Sequence, residues 1–182
     1  MNSLKHLTIV VAAITVISCA KQESANASAD VIIPTVNRSN IPPLHPENIV
    51  SLALGSDDHT TLVAAVQAAN YVTSVAASGP LTVFAPTNAA FSALPAGTVE
   101  NLVKPENLLA LQNILQYHVT TSALGIDTFK DGQTLGMANG EKVTMTIKDG
   151  KVSINGANIV ASLKASNGML HIIDAVLLPP SE

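Results

Sequence analysis

The segment 167–179 reads NGMLHIIDAVLLP, and it decides most of the fold that can be predicted from this sequence. An asparagine-glycine turn opens it, and residues 169–178 are apolar at nearly every position. An apolar run bounded by a turn at one end and by prolines at the other is typical of a strand with both faces buried. We therefore expect this segment to form a central strand of a sheet.

Further strands are predicted directly before this segment. Over residues 143–147 apolar side chains alternate with threonines, which indicates a strand with one buried face. Asp-Gly at 149–150 and Asn-Gly at 155–156 mark two tight turns, each followed by another strand. The second half of the domain is therefore predicted to be an antiparallel meander that ends in the segment 167–179.

The first half of the domain is predicted to be helical. Residues 49–53 form a short helix, and apolar residues recur at helical spacing over residues 62–72. Asp57 and Asp58 offer N-capping side chains for that second helix. The clearest helix has an apolar face over residues 108–119. Because helices come first and an antiparallel meander last, the predicted fold class is α+β.

Three motifs stand in a definite order along the chain. Residues 82–91 read TVFAPTNAAF, the long helix ends with Tyr117-His118, and the segment 167–179 comes last. In this order and with this spacing, the motifs resemble the signatures of the fasciclin-like domain family. The resemblance extends from about residue 47 to residue 179, which is most of the chain.

The resemblance implies a compact wedge of two β-sheets flanked by several helices, with the first and last motifs side by side in its core. For function it implies adhesion or matrix interaction through protein–protein contacts, and not catalysis. Two residues depart from the family pattern: Asn88 stands where many members have aspartate, and Met169 where valine or isoleucine is usual. The first difference removes a charge from one edge of the expected binding face.

Three polar residues of the first and last motifs, Asn88, His171 and Asp174, are expected to form a structural polar core. In a strand, residues two apart share a face, so Asp174 would lie among aliphatic side chains, with His171 on the opposite face. A buried carboxylate must be hydrogen-bonded, because an unsatisfied one is costly. We interpret Asp174 as a clamp on the loop after residues 82–91; the alternative is that it belongs to an exposed recognition face.

The pair Tyr117-His118 allows two main interpretations. His118 ends an apolar helical face, so it fits a histidine at the core edge that is hydrogen-bonded to backbone. The family resemblance implies instead that Tyr117 and His118 form a candidate interaction patch. The sequence contains no nucleophile elbow, paired metal-ligand motif, phosphate-binding loop or dinucleotide fingerprint. We therefore predict a protein that is not an enzyme and that holds no metal and no cofactor.

Residues 1–18 are predicted to be a signal peptide. The uncharged run over residues 7–17 fits a signal-peptide core of about 7–15 residues and is short of the ~20 that a membrane-spanning helix needs. Residues 16–19 read VISC and resemble the bacterial lipoprotein signal, in which Cys19 would carry the lipid. The alternative is an ordinary cleaved signal peptide with an incidental cysteine. Ala20 resembles the residue found after the cysteine in proteins forwarded to the outer membrane.

Residues 19–46 are rich in serine, asparagine, alanine and proline, which predicts a flexible linker behind the lipidated N-terminus. The fasciclin-like domain is then expected over residues 47–182. The chain would be exported and anchored to the bacterial cell envelope by lipid alone, with its domain outside the cytoplasm. Cys19 is the single cysteine, so no internal disulfide is expected.

Composition limits the partners. The formal net charge is −4, tryptophan is absent, and aromatic residues make up 3% of the chain. A mildly acidic surface with few stacking side chains does not favour nucleic acid. The remaining hypotheses are a module that binds a protein or an envelope or matrix polymer, a binder of an apolar small molecule such as a carotenoid or lipid, and a purely structural envelope protein.

Overall fold

The structure is a computed structural model that describes residues 44–180. The predicted signal peptide, Cys19 and all but the last residues of the linker lie outside this range. Within residues 44–180, no helix is long and apolar enough to cross a membrane.

Most of the helices lie in the first half of the domain, as the apolar spacing predicts. The α-helices of the described range are α1 Ile49–Leu54, α2 Thr60–Ala68, α3 Val72–Ala76, α4 Asn88–Ser92, α5 Thr98–Leu102 and α6 Leu108–Tyr117. Short 3-10 helices cover Asp57–His59, Pro105–Asn107 and Ile126–Thr128.

The helical pattern over residues 62–72 is divided between two helices. Asn70 has a left-handed φ of 53°, a conformation that asparagine tolerates better than most residues, and it separates α2 from α3. The side chain of Gln112 donates a hydrogen bond of 2.8 Å to the Ala69 carbonyl at this break. The long helix α6 therefore supports the end of α2 through a contact that sequence spacing does not reveal.

The strands form one sheet. They are β1 Leu81–Pro86, β2 Val119–Thr120, β3 Thr134–Gly136, β4 Lys142–Lys148, β5 Lys151–Ile154, β6 Ala157–Ala165 and β7 Gly168–Ile173, in the spatial order β2-β1-β7-β6-β5-β4-β3. The last four are the predicted antiparallel meander.

The sheet bends until its two edges approach each other. The Ala138 amide donates to the Val119 carbonyl at 2.8 Å, and the Thr120 hydroxyl donates to the Gly136 carbonyl at the same distance. The strand β6 belongs to both arms of the sheet, because it pairs with β7 along most of its length and with β5 at its start. The structure is therefore a nearly closed barrel, with the two arms in place of two separate sheets.

The first and last motifs lie side by side, as the resemblance implies. The strand β1 pairs in parallel with β7 over six residue pairs, from Leu81 opposite Gly168 to Pro86 opposite Ile173. Both strands are central, and the fold class is α+β as predicted.

Each face of this parallel pair has its own apolar core. Val83 and Leu170 point towards a cluster formed mainly with α1, α2, α3 and α6. Phe84 and Ile173 belong to a second cluster inside the barrel, with Phe129 and residues of the meander. Since successive strand residues point to opposite faces, a run that is apolar at nearly every position can serve both cores.

Candidate functional site

His118 joins the long helix to both the first and the last motif. Its backbone carbonyl accepts from the Phe84 amide at 2.9 Å, and its ring Nδ1 lies 2.8 Å from the Ile114 carbonyl. Its Nε2 accepts from the Leu177 amide at 3.0 Å. The side chain is 3% exposed. His118 is thus the hydrogen-bonded core histidine of the first interpretation.

These partners fix the protonation of the His118 ring. A carbonyl can only accept and an amide N–H can only donate, so the hydrogen lies on Nδ1 and the ring is neutral. Burial lowers the pKa of His118 from 6.5 to about 4, against the opposing effect of the hydrogen bond to Ile114. A second proton on Nε2 would break the bond from Leu177.

We expect the stability of the domain to fall as the pH is lowered from 6.5 to 4. In this window the unfolded chain takes up a proton on His118 and the folded chain does not, which costs up to ~1.4 kcal/mol per pH unit. Burial also lowers the pKa of His59 and of His171, which adds to the slope. Urea unfolding of the wild type and of His118→Gln from pH 7.5 to 4 measures how the free energy of unfolding changes with pH.

The variant His118→Gln should be less stable at pH 7.5 but lose less stability over this window, because one shifted group is gone. An equally steep loss in both proteins would show that His118 does not titrate as its burial requires.

Tyr117 is as buried as its neighbour. It is 1% exposed, and its hydroxyl accepts from the Asn155 side chain at 2.8 Å. Burial raises its pKa, as does the nearby charge of Glu141, while the hydrogen bond from Asn155 lowers it. The predicted interaction patch of Tyr117 and His118 is therefore not at the surface, because both side chains point into the domain.

His171 occupies the interior of the barrel. Its ring packs against both Phe84 and Phe129, with centroid distances of 5.4 and 5.3 Å. Its Nε2 donates to the Leu124 carbonyl at 2.8 Å, so its Nδ1 accepts from the Ser162 hydroxyl at 2.7 Å. His171 is a structural polar core residue as predicted, and it has no free ring nitrogen for chemistry.

Asp174 is exposed, which corrects the prediction that it is buried among aliphatic side chains. Its carboxylate accepts two bonds of 2.7 Å from Asn158, one from the amide and one from the side chain. The face assignment was wrong because β7 ends at Ile173, so the two-residue period does not reach Asp174. Asp174 is a clamp, but on the start of β6 and not on the loop after residues 82–91.

Asn88 clamps the first motif to the segment that leads into α2. Its side-chain oxygen accepts from the Thr61 amide at 3.0 Å, and its Nδ2 donates to the Asp57 carbonyl at 2.8 Å. The start of α2 is thus capped by a residue of the first motif. Asp57 and Asp58 make no side-chain cap to α2, which corrects that prediction.

We expect Asn88→Asp to cost about 1 kcal/mol and Asn88→Ala to cost more. Aspartate keeps the acceptor for the Thr61 amide but places a carboxylate oxygen against the Asp57 carbonyl, whereas alanine also loses the cap. Urea unfolding of both variants gives the order. If alanine proved the milder change, the cap from Asn88 would contribute nothing to stability.

Two small apolar cavities lie around His118. Their volumes are about 40 and 20 Å³, and Leu62 and Leu115 line both of them. For comparison, an apolar cavity of about 150 Å³ binds benzene. Neither of the two cavities has room for a ligand of carotenoid or lipid size.

An open groove of about 650 Å³ lies at the turn between β6 and β7. This volume falls in the range of about 300–1,000 Å³ that small-molecule sites occupy. Four separate segments line it, including Met169 and the turn of the last motif. The lining residues are Leu44, His45, Asn48, Ala76, Ser78, Gly79, Pro80, Ala123, Lys164, Ala165, Ser166, Asn167, Gly168 and Met169.

The turn that opens the last motif supports the wall of this groove. Asn167 is buried, and its side chain accepts from the Ile49 amide at 3.0 Å and donates to the Val75 and Ala77 carbonyls at 2.9 and 3.2 Å. Sequence analysis treated the asparagine-glycine pair only as a turn signal. The place of Asn167 beside a glycine at the start of a signature motif was the one sequence signal of a second role.

Comparisons with known proteins agree with this architecture. The model of the fasciclin domain family matches residues 57–179. Protein sll1483 of Synechocystis is 50% identical over 133 residues, which cover 72% of this chain and 73% of that protein. Immunogenic protein MPB70 of Mycobacterium bovis is 31% identical over 170 residues, which cover 90% and 81% of the two chains.

Larger proteins contain a similar region. Transforming growth factor-beta-induced protein ig-h3 of Sus scrofa is 34% identical over 148 residues, 81% of this chain but only 21% of that protein. Among solved structures, a FAS1 domain pair from the insect cell adhesion molecule fasciclin I matches with a TM-score of 0.44 and 21% identity. That match covers 63% of this chain and 40% of the other.

Proposed function

The chain belongs to the fasciclin domain family, and we propose that it is a binding module that mediates adhesion or protein–protein contact at a bacterial cell envelope. Its predicted lipid-modified Cys19 would hold it on the membrane, with the outer membrane as the expected site. The family model that matches is that of the fasciclin domain, and the resemblance of the three motifs to this family implies adhesion or matrix interaction.

One observation carries the proposal. The histidines and the aspartate of the motifs are hydrogen-bonded to their own fold, whereas the groove at the last motif is concave and open to solvent. A general base or a nucleophile needs a free atom beside a substrate site, and neither ring nitrogen of His118 or His171 is free. An open recess fits recognition better than catalysis.

A test of this proposal uses the whole chain in its native host. Cross-linking of a tagged chain in intact cells should capture a defined envelope or surface protein, and deletion of the gene should alter attachment. No captured partner together with unchanged attachment would contradict the proposal. The second candidate function is binding of an apolar small molecule, and a coloured preparation with an extractable apolar ligand would favour it. The small volumes of the two cavities around His118 do not favour this function.

The anchor needs a separate test. We expect the chain to incorporate radiolabelled palmitate, and the variant Cys19→Ala to lose the label and leave the membrane fraction. Label that persists in Cys19→Ala would contradict the lipid anchor and leave the binding function of the domain open to its own test.

A further inference from the structure

The chemistry of the open groove indicates its kind of partner. Lys164 is the one lysine or arginine that lines it, and no aspartate or glutamate does so among the described residues. The rest of the domain is acidic, because residues 44–180 hold six lysines against ten carboxylates. The lining of the groove therefore differs in sign from the domain as a whole.

Some polar side chains on its rim have donor groups without a partner among residues 44–180, whereas Asn48 and Asn167 are hydrogen-bonded to the fold. Within residues 44–180, Lys164 Nζ and the hydroxyls of Ser78 and Ser166 make no hydrogen bond or ion pair, and all three residues are exposed. His45 accepts from the Glu47 amide through Nδ1 at 3.3 Å, which leaves its Nε2–H to donate. Unpartnered donors around an acid-free recess match a ligand that brings carboxylates.

The groove also has an apolar surface. Leu44, Pro80 and Met169 line it together with three alanines. Met169 is one of the two residues that depart from the family pattern, and an unbranched, polarisable thioether adapts to varied apolar partners. A purely ionic polymer would leave this apolar surface without a partner.

We propose that the groove binds an acidic peptide segment that mixes carboxylate and apolar side chains, supplied by a partner protein. Its carboxylates meet Lys164, His45 and the two serines, and its apolar side chains cover Met169 and Leu44. This inference rests on the proposed function, since it names the partner chemistry of that binding module. An acidic polysaccharide or an anionic lipid surface would carry the same negative charge. The polysaccharide would leave the apolar lining of the groove uncovered, and a lipid surface would not fit the concave shape of the groove.

The test measures fluorescence anisotropy of a labelled hexapeptide of three leucines and three glutamates against the full chain without its lipid. We expect saturable binding that weakens as salt is raised, and weaker binding of the same peptide with glutamine for glutamate. The variant Lys164→Glu should bind about tenfold more weakly. The control Lys148→Glu makes the same charge change at an exposed strand end outside the groove, and it should bind like the wild type.

Three results would overturn the assignment: no binding by the wild type, equal binding of the glutamine peptide, or equal loss in both lysine variants. If alginate or phosphatidylglycerol vesicles displaced the labelled peptide more strongly than unlabelled peptide does, the groove would be assigned to that polysaccharide or lipid and not to a peptide. Cellular cross-linking distinguishes failure of the groove assignment from failure of the proposed binding function. If Lys164→Glu still captures the partner in cells, the groove is not the binding site, but the chain is still a binding module.

Discussion

Gly168→Ala is expected to destabilise the domain by more than about 3 kcal/mol and to leave much of the chain unfolded. A Cβ on Gly168 would lie 1.8 Å from the Leu81 carbonyl oxygen, far inside van der Waals contact. The residue also has a φ of +151°, which side-chain-bearing residues rarely adopt. Relief would require β1 and β7 to separate where their parallel pairing begins, and both are central strands.

Urea unfolding followed by circular dichroism measures this loss, and Gly132→Ala is the matched control. Gly132 has a φ of +70° but nothing within 4 Å of the added carbon, so its variant carries backbone strain without a clash. We expect the control to lose only about 1 kcal/mol. If the two variants were equally stable, the close approach of the two signature strands would not be what requires glycine.

Asn167→Ala is expected to have the next largest effect, a loss of about 3 kcal/mol. The substitution leaves the buried Ile49 amide without an acceptor and the Val75 carbonyl without its donor. Each buried group left unpaired costs about 1–3 kcal/mol. The loss spreads beyond the turn, because Asn167 holds the start of α1 and the end of α3 against the sheet.

The control is Asn113→Ala, which removes an exposed side chain with a single bond to Asn139. It should change stability by less than about 0.5 kcal/mol in the same urea experiment. Asn167→Asp separates the two roles of the side chain, since it keeps the acceptor for Ile49 and loses both donors. A loss as small as that of Asn113→Ala would contradict the role of Asn167 as a joint between helices and sheet.

Most of the secondary structure could be predicted because it depends on neighbours along the chain. The turns Asp149-Gly150 and Asn155-Gly156 lie where predicted, with positive φ at all four residues. Thr87 caps α4 through a bond from the Ala90 amide, again a local contact. The strand β2 was missed, since two residues after a helix carry no period of their own.

The candidate site could be predicted only in part. His171 and Asn88 are structural polar residues, as expected, but their partners lie in segments that sequence spacing does not connect. For the pair Tyr117-His118, the structure agrees with the interpretation of His118 as a hydrogen-bonded core histidine. Because both side chains are buried, it does not agree with the interpretation of the pair as an interaction patch. The groove escaped prediction because its rim comes from four separate segments, and Lys164 appears in the sequence as an ordinary strand residue.

The sequence by itself determined the elements, the α+β class, the family resemblance and the order of the three motifs, all of which depend on local patterns of polarity and turn chemistry. Tertiary structure alone decided what each polar side chain does: Asn88 caps a helix that starts 28 residues earlier, Asp174 turns outwards to Asn158, and His118 joins the first motif to the last. The physical reason is that buried donors and acceptors must be paired, and the packing of the helices and strands sets which partners are within reach. The packing of α1 and α3 against the turn between β6 and β7 likewise brings the donors of the groove together.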